Sequence, residues 1–463
     1  MHSYPPDAPI STVPDANLSA FAASWKIRLK EPRAHPCASE TWPRCLGAEA
    51  LSTDALLELR QRRLDLLVAD AATNVPFYIE WAKSSGFRPG DRAQIGTLPV
   101  LDKAPYRLNL EAFQSRRFPL SHMRSAKTSG SSGQPFRFRT HPLSMDQGYC
   151  GLWRGLRRFG LRPGMRRLYV WGRSWVYGAG LFERIRRRAR SAVRDWANQT
   201  LSIPAYDLSD RNVARAVDRL ITFKPEYVHG YVSALYVLAR HVIESDRIRA
   251  VPPLRAVITE SEKLYDFQRT ALRQAFGCPV VEQYGSVGFG NIAGEDPEGN
   301  LRVSDDMFWL ESLDDGQAVI TNLASFAFPF IRFRLGDLIE FREDIPAGLP
   351  FRVLARVTGR TLDLFPRPGG GHVHGMALAH VVDPHLAFVR RYQFHQTAID
   401  YLVVKLQPAA SSIPSSVHDR MRADLQALFG PITIVFESVQ EILPMESGKY
   451  RWVRSDVAGS TAP

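Results

Sequence analysis

Two stretches of this sequence carry residue types suited to chemistry on phosphate. The first is Lys127-Thr128-Ser129-Gly130-Ser131-Ser132-Gly133-Gln134-Pro135. Glycine reaches backbone conformations closed to other residues, so Gly130 and Gly133 let successive amide N–H groups point into one concavity. Such a nest binds phosphate, and the hydroxyls of Thr128, Ser129, Ser131 and Ser132 add donors. Lys127, Arg137 and Arg139 put positive charge beside it. A Ser/Gly run is also the composition of a flexible loop, and the Gly-Lys-Ser/Thr ending of the NTPase loop is missing. Its short length and the strand-like Phe136-Arg137-Phe138-Arg139-Thr140 after it argue for order. The second stretch is Ser447-Gly448-Lys449, a cation on a glycine-flexed loop late in a chain where lysine is scarce. A solvated tail lysine is the alternative. A third set, Trp171, His229 and Tyr231, stands at the ends of apolar runs and could line a pocket for a planar ligand, or be core.

These groups need a scaffold. Short apolar runs at 168–171, 227–229, 254–259 and 280–283 read as buried strands, with helical stretches between them. Ser209 can cap a helix carrying Val213, Val217, Leu220 and Ile221 on one face. Another places Leu264, Phe267, Ala271, Leu272 and Ala275 inward and stops at Gly277. Strand–helix–strand order implies a layered α/β domain with parallel pairing and ligands at the carboxyl ends of its strands. Upstream, Leu56, Leu57, Leu59, Leu64, Leu66 and Leu67 make an apolar helical pattern. Residues 300–358 become strand-rich and suggest a second, barrel-like sheet. A boundary is expected near 360–363. Beyond it, 391–406 reads as paired strands, 415–429 as a helix with Val417, Met421, Leu425 and Leu428 inward, and 432–436 as a strand.

Composition sets bounds. At 463 residues the chain can bury a large core and a smaller second unit. Cys37, Cys45, Cys150 and Cys278 show neither CxxC spacing nor a disulfide framework, which favours a reducing compartment. No apolar run is long enough to cross a membrane and the start lacks a signal-peptide core, so a cytoplasmic location without membrane contact is expected. The net charge of +12 would suit nucleic acid, but no nucleic-acid module is recognisable and no nucleic-acid partner is expected. Much of the basicity lies in 154–173 and 184–194. In the latter, Ile185, Ala189 and Val193 recur every four residues, so arginines would coat the outside of an amphipathic helix. They would form a solvated face or dock an anionic partner. His372 and His374 lack further ligands at metal-binding spacing.

The stretch from Ser125 to Pro135 resembles the phosphate loop of the adenylate-forming enzymes, nearest to their phenylacetate–CoA ligase and capsule-biosynthesis branch. Four further stretches fall in the family order: His229-Gly230-Tyr231-Val232-Ser233, Glu282-Gln283-Tyr284-Gly285-Ser286, Phe330-Ile331-Arg332-Phe333-Arg334-Leu335-Gly336-Asp337 and Ser447-Gly448-Lys449. Asn74-Val75-Pro76-Phe77-Tyr78 and Leu98-Pro99-Val100-Leu101 look like the opening landmarks of the same branch.

The resemblance implies a two-step reaction. A carboxylate attacks the α-phosphate of ATP, giving acyl-adenylate and pyrophosphate; coenzyme A, an amine or another nucleophile then displaces AMP. It implies a nucleotide site of Thr128, Ser129, Gly130, Ser131, Ser132, Gly133, Glu282, Tyr284, Gly285, Asp337 and Arg360, with Tyr284 beside adenine and Asp337 on the ribose hydroxyls. Lys449 would be catalytic, neutralising charge on the carboxylate and α-phosphate. Three departures stand out. Gln134 replaces a usual lysine, and Leu362, followed by Asp363, replaces the usual hinge residue. Gly288 replaces the carboxylate that holds Mg²⁺, with Glu295 nearby at an unmatched place, so the metal ligands stay unassigned. The expected architecture is an extended lead-in over 1–45, an adenylating core over 46–360 with parallel sheets and a barrel-like sheet, and a small mobile α+β lid over 361–463. The expected activity is ATP-dependent activation of a carboxylic acid, aromatic lining favouring an aromatic one. The alternative is a nucleotide- or acyl-binding relative whose catalysis faded with the change to Gly288.

Overall fold

The computed structural model describes residues 38–127, 136–172, 181–205, 207–358, 364–385, 387–410, 412–442 and 453–457. They fold as two compact units, both discontinuous in sequence. Residues up to 127, 137–164 and 281–358 form one; residue 136, 165–280 and the residues from 364 onward form the other.

In the first unit, helix Thr53–Asn74 starts where Ser52 Oγ accepts the Ala55 N–H at 3.2 Å. Of the expected leucine face, Leu56, Leu64 and Leu67 are buried, joined by Val68 and Ala71, whereas Leu57 is 44% exposed. Arg60 and Arg63 take buried places instead, because partners for them lie on the loop between two strands. Arg60 Nη1 is 3.3 Å from Asp305 Oδ1 and its guanidinium covers the Trp309 ring at 4.2 Å. Arg63 donates to the Asp306 carbonyl, and Arg154 meets the Asp306 carboxylate at 2.9 Å. Charge is tolerated inside a protein only with such pairing.

The sheet of this unit is antiparallel, with strands in the order Phe308–Ser312, Gln317–Asn322, Phe333–Phe341, Val353–Thr358, Leu301–Val303, Gly290–Glu295 and Val280–Ser286. The strand-rich stretch expected over 300–358 is therefore one continuous ladder of neighbours. Phe138, Phe289, Phe308, Phe330 and Phe333 pack together with neighbouring ring centroids 5.2–6.4 Å apart, which gives this unit its aromatic core.

The second unit holds a parallel sheet in the order Thr200–Pro204, Arg167–Trp171, Tyr227–Tyr231 and Val257–Glu260. Its crossover helices follow the apolar spacing read from the sequence. Asp210–Phe223 buries Val213, Val217 and Leu220 with Ser209 at its N-cap, and Asp266–Phe276 ends at Gly277, whose φ is +62°. Residues 165–280 share one apolar core with the chain beyond 364, in which Leu208, Phe365, Val373 and Leu378 lie together. A short sheet of Leu364–Pro366, His372–His374 and Asp207–Leu208 joins these segments. The last sheet runs Thr433–Ser438, Tyr401–Pro408, Val389–Ala398, Val453–Ser455. Helix Ser415–Phe429 buries Val417, Met421, Leu425 and Leu428, as its spacing predicts.

Helix Leu181–Ala197 departs from the amphipathic expectation. Ile185, Ala189 and Val193 do recur along one side, but all three are exposed, and among the described side chains of the helix Ser191 is the buried one. Among the described residues no helix is long and apolar enough to cross a membrane.

Candidate functional site

Three of the expected nucleotide residues lie close in sequence to Gly288 and Glu295 on one hairpin of the first unit. Strand Val280–Ser286 carries Glu282, Tyr284 and Gly285 and turns back into Gly290–Glu295. The pairing slips between Tyr284 and Gly285, and the two backbones come so near that a Cβ on Gly285 would lie 2.5 Å from the Gly290 carbonyl oxygen. Only glycine fits there. Tyr284 is buried beside this slip, and its hydroxyl donates to Asp337 Oδ2 at 3.1 Å. Asp337 reaches it from a bulge: opposite Gln317–Val319, strand Phe333–Phe341 carries two extra residues, and Gly336 within it has φ +87°. Bulges re-aim a side chain. The structure thus brings Tyr284 and Asp337, 53 positions apart, into one hydrogen-bonded pair.

The turn of the same hairpin decides the meaning of Gly288. Its φ is +99°, and a Cβ added there would sit 2.8 Å from Phe138 Cζ, itself deep in the core. A carboxylate side chain at this position has neither the backbone conformation nor the room. Glu295 does not stand in for it, since it is buried with Oε2 accepting the Glu282 N–H at 2.7 Å. Among the described residues no group of three or more His, Cys, Asp or Glu could hold a metal ion. The residues present therefore do not fit a protein-held Mg²⁺ at this turn.

The expected acyl-site residues come together at the carboxyl ends of the parallel strands in the second unit. Trp171 ends its strand beside Tyr231, and Tyr231 is in register with Glu260. The Trp171 and Tyr231 rings are 4.2 Å apart between centroids, and His229 meets Trp171 edge-on at 6.0 Å. The strands approach closely at Gly230, where a Cβ would be 2.5 Å from the Val170 carbonyl oxygen. His229 is not a plain wall residue: its Nε2 and Glu260 Oε2 are 3.0 Å apart, an N–H···O bond to a carboxylate.

Four residues here escaped the sequence reading. Tyr169 stacks on Trp171 at 5.2 Å and lies against His229 at 5.3 Å; two positions before Trp171 on a strand, it had the signal of a shared face. Burial, then the nearby Glu260 charge, push its hydroxyl above the usual tyrosine range. Glu260 and Glu262 follow an apolar run, a polar cluster at a strand end that could have been noticed. Glu262 accepts from Ser233 N at 2.7 Å and Ser233 Oγ at 3.0 Å, in the first turn of helix Val232–Glu244. Between them Ser261 adopts φ +71°, a strained conformation with no sequence signature. Thr128, Ser129, Gly130, Ser131, Ser132, Gly133, Arg360 and Lys449 lie outside the described residues.

Comparison with known proteins bears on this arrangement. No protein-family model matches the chain. It is 24% identical over 413 residues to protein CapK of Staphylococcus aureus, covering 87% of this chain and 90% of CapK. It is also 24% identical over 342 residues to the phenylacetate-coenzyme A ligase of Aromatoleum evansii, covering 68% and 73%. The fold matches 2-hydroxyisobutyryl-CoA ligase in complex with 2-HIB-AMP and CoA in its thioesterification state, with TM-score 0.57 at 16% identity over 98% of this chain and 96% of that one. The open conformation of the same ligase gives TM-score 0.53 at 17% identity over 88% and 93%. In sequence the chain is thus similar to CapK and to phenylacetate-coenzyme A ligase, and in fold to an acyl-CoA ligase.

Proposed function

We propose that the protein activates a carboxylic acid with ATP as an acyl-adenylate and passes the acyl group to coenzyme A or another nucleophile. The observation that carries this is the Tyr284–Asp337 pair, on a chain related over most of its length to CoA ligases. In this reading a carboxylate oxygen of the acid attacks the α-phosphorus and the bridging bond to the β-phosphate breaks, so pyrophosphate leaves. The acceptor then attacks the acyl carbon and AMP departs. Little covalent work falls to the protein, so its residues act by position and charge.

Each residue set has a part. The Tyr284 ring lies against the base, and Asp337, steadied by the Tyr284 hydroxyl, accepts from the ribose hydroxyls. The loop from Thr128 to Gly133 and the cations Lys127 and Arg137 meet the departing pyrophosphate. Arg360 reaches the nucleotide, and Lys449, late in the chain, neutralises charge on the reacting oxygens. The stacked Trp171 and Tyr231 with Tyr169 and the His229–Glu260 pair form the acyl end, which suits a planar, aromatic acid. Since no protein carboxylate fits at Gly288, the pyrophosphate charge falls to the loop and its neighbouring cations.

The test is pyrophosphate release from ATP over a panel of aromatic and aliphatic carboxylic acids, with coenzyme A and amines as acceptors. Acid-dependent release, stronger for aromatic acids, is expected. A protein that binds ATP but releases no pyrophosphate with any acid would overturn the catalytic reading; preference for aliphatic acids would overturn the aromatic one alone.

A further inference from the structure

Helix Leu181–Ala197 turns an apolar stripe to solvent. Ile185, Ala189, Val193 and Trp196 follow one another at spacings of four, four and three, which is one face of an α-helix. All are exposed: Ile185 by 57%, Val193 by 58% and Trp196 by 83%. Trp196 is a large ring that proteins seldom leave in water without use. Beside the stripe, Arg186, Arg190 and Arg194 are exposed too, and the buried residue is the small polar Ser191. Among the described side chains of this helix, the buried one is thus polar and the apolar ones face solvent. Six arginines against Glu183 and Asp195 leave it a charge of +4.

The occupant follows from shape and charge. A stable protein partner needs about 800 Å² per side, more than one narrow stripe on a convex helix offers. A lipid surface needs only a shallow apolar face flanked by cations. The apolar side of such a helix enters about 5–10 Å into the headgroup boundary, Trp sits at that level, and arginine stems extend so that guanidinium groups reach lipid phosphates. With no helix able to span a bilayer among the described residues, such contact is peripheral. We propose that helix Leu181–Ala197 seats this protein reversibly on an anionic phospholipid surface, through Ile185, Val193 and Trp196 in the headgroup layer and arginines on the phosphates. This does not depend on the proposed ligase activity.

The experiment is co-sedimentation of the full chain with phosphatidylglycerol–phosphatidylcholine vesicles and with pure phosphatidylcholine vesicles, at low and high salt. Expected is binding to the anionic vesicles, weak binding to neutral ones, and release by salt. Each basic group near the surface contributes about 1 kcal/mol, so Arg190→Gln with Arg194→Gln should lower partitioning roughly 30-fold. Ile185→Asp with Trp196→Asp should lower it about tenfold or more at unchanged melting temperature, the sites being exposed. Trp196→Ser alone serves as a milder variant if that pair disturbs folding. The proposal fails if the wild-type chain ignores anionic vesicles, or if removing the apolar side chains leaves binding intact. It fails equally if the chain is a dimer that Trp196→Ser dissociates without any vesicle binding, because a second copy would then own the stripe. Capture only by an acidic protein, with none by lipid, has the same consequence.

Discussion

A side chain at residue 288 should damage the fold before it could serve a metal. Two costs add when Gly288 is replaced. A non-glycine residue held at φ +99° costs about 1–3 kcal/mol. The new Cβ, 2.8 Å from Phe138 Cζ, must also displace a ring packed 5.4 Å from Phe330, an overpacking cost of about 1–3 kcal/mol. The sum is about 2–6 kcal/mol and arises at the Cβ, so Gly288→Ala and Gly288→Glu should lose stability alike. At about 2–4 °C per kcal/mol, thermal melts should fall by roughly 4–24 °C. Phe138→Leu gives the Cβ space but leaves the backbone strained, so in that background Gly288→Ala should cost less than it does alone. The assay is melting of wild type, the three single variants and the double variant alongside Mg²⁺ titration of pyrophosphate release. A Gly288→Glu protein that melts like wild type and saturates at lower Mg²⁺ would refute the reasoning, since the turn would then hold the carboxylate that its backbone forbids here.

Other expectations follow from the site and the core. Lys449→Ala should slow adenylate formation by about 100-fold or more while sparing transfer from a supplied acyl-adenylate; equal loss in both half-reactions would remove it from the first. Asp337→Asn should raise KM for ATP about tenfold or more, and Tyr284→Phe, which keeps the ring but loses the 3.1 Å bond, by less; the reverse order would mean that Asp337 serves only the hairpin. Glu260→Ala, which leaves His229 buried without its carboxylate, should raise KM for the acid several-fold, with Glu260→Gln milder; unchanged KM in both would take the pair out of the acyl site. Burial alone would raise the Asp296 carboxyl, but the Arg302 guanidinium at 2.5 Å and Asn300 outweigh it and hold it below the usual range. Its folded value being depressed, the ion pair stabilises fully above about pH 4 and loses that effect as pH falls through the folded value. Asp296→Asn should therefore cost about 3–5 kcal/mol at pH 7 and progressively less in acid. A stability gap that stays constant down to pH 3 would show that ionisation is not its source.

What the sequence disclosed, and what it withheld, divides along physical lines. Periodicity disclosed elements whose burial follows their own residues: helix Ser415–Phe429 buries the four side chains its spacing assigned inward, and Gly277 stops a helix at φ +62°. Spacing also placed Trp171, His229 and Tyr231 on shared strand ends, because alternation along a strand is geometrical. It failed wherever a partner distant in sequence sets the outcome. Leu57 is exposed and Arg60 buried because Asp305, some 245 positions on, neutralises the arginine; no local pattern contains that fact. The helix at 181–197 shows the same failure in reverse. Its apolar spacing was legible, but spacing says only that one side differs from the other, and here Ser191 is buried while Ile185, Val193 and Trp196 are exposed. Gly288 is the sharpest case. The sequence showed that the expected carboxylate was missing, which by itself fits lost catalysis as well as a rebuilt turn. Only the backbone angle and the position of Phe138 tell that the glycine is required where it stands. The change is then a property of the hairpin that also sets Tyr284 against Asp337, and that pair is the one the proposed nucleotide contacts require.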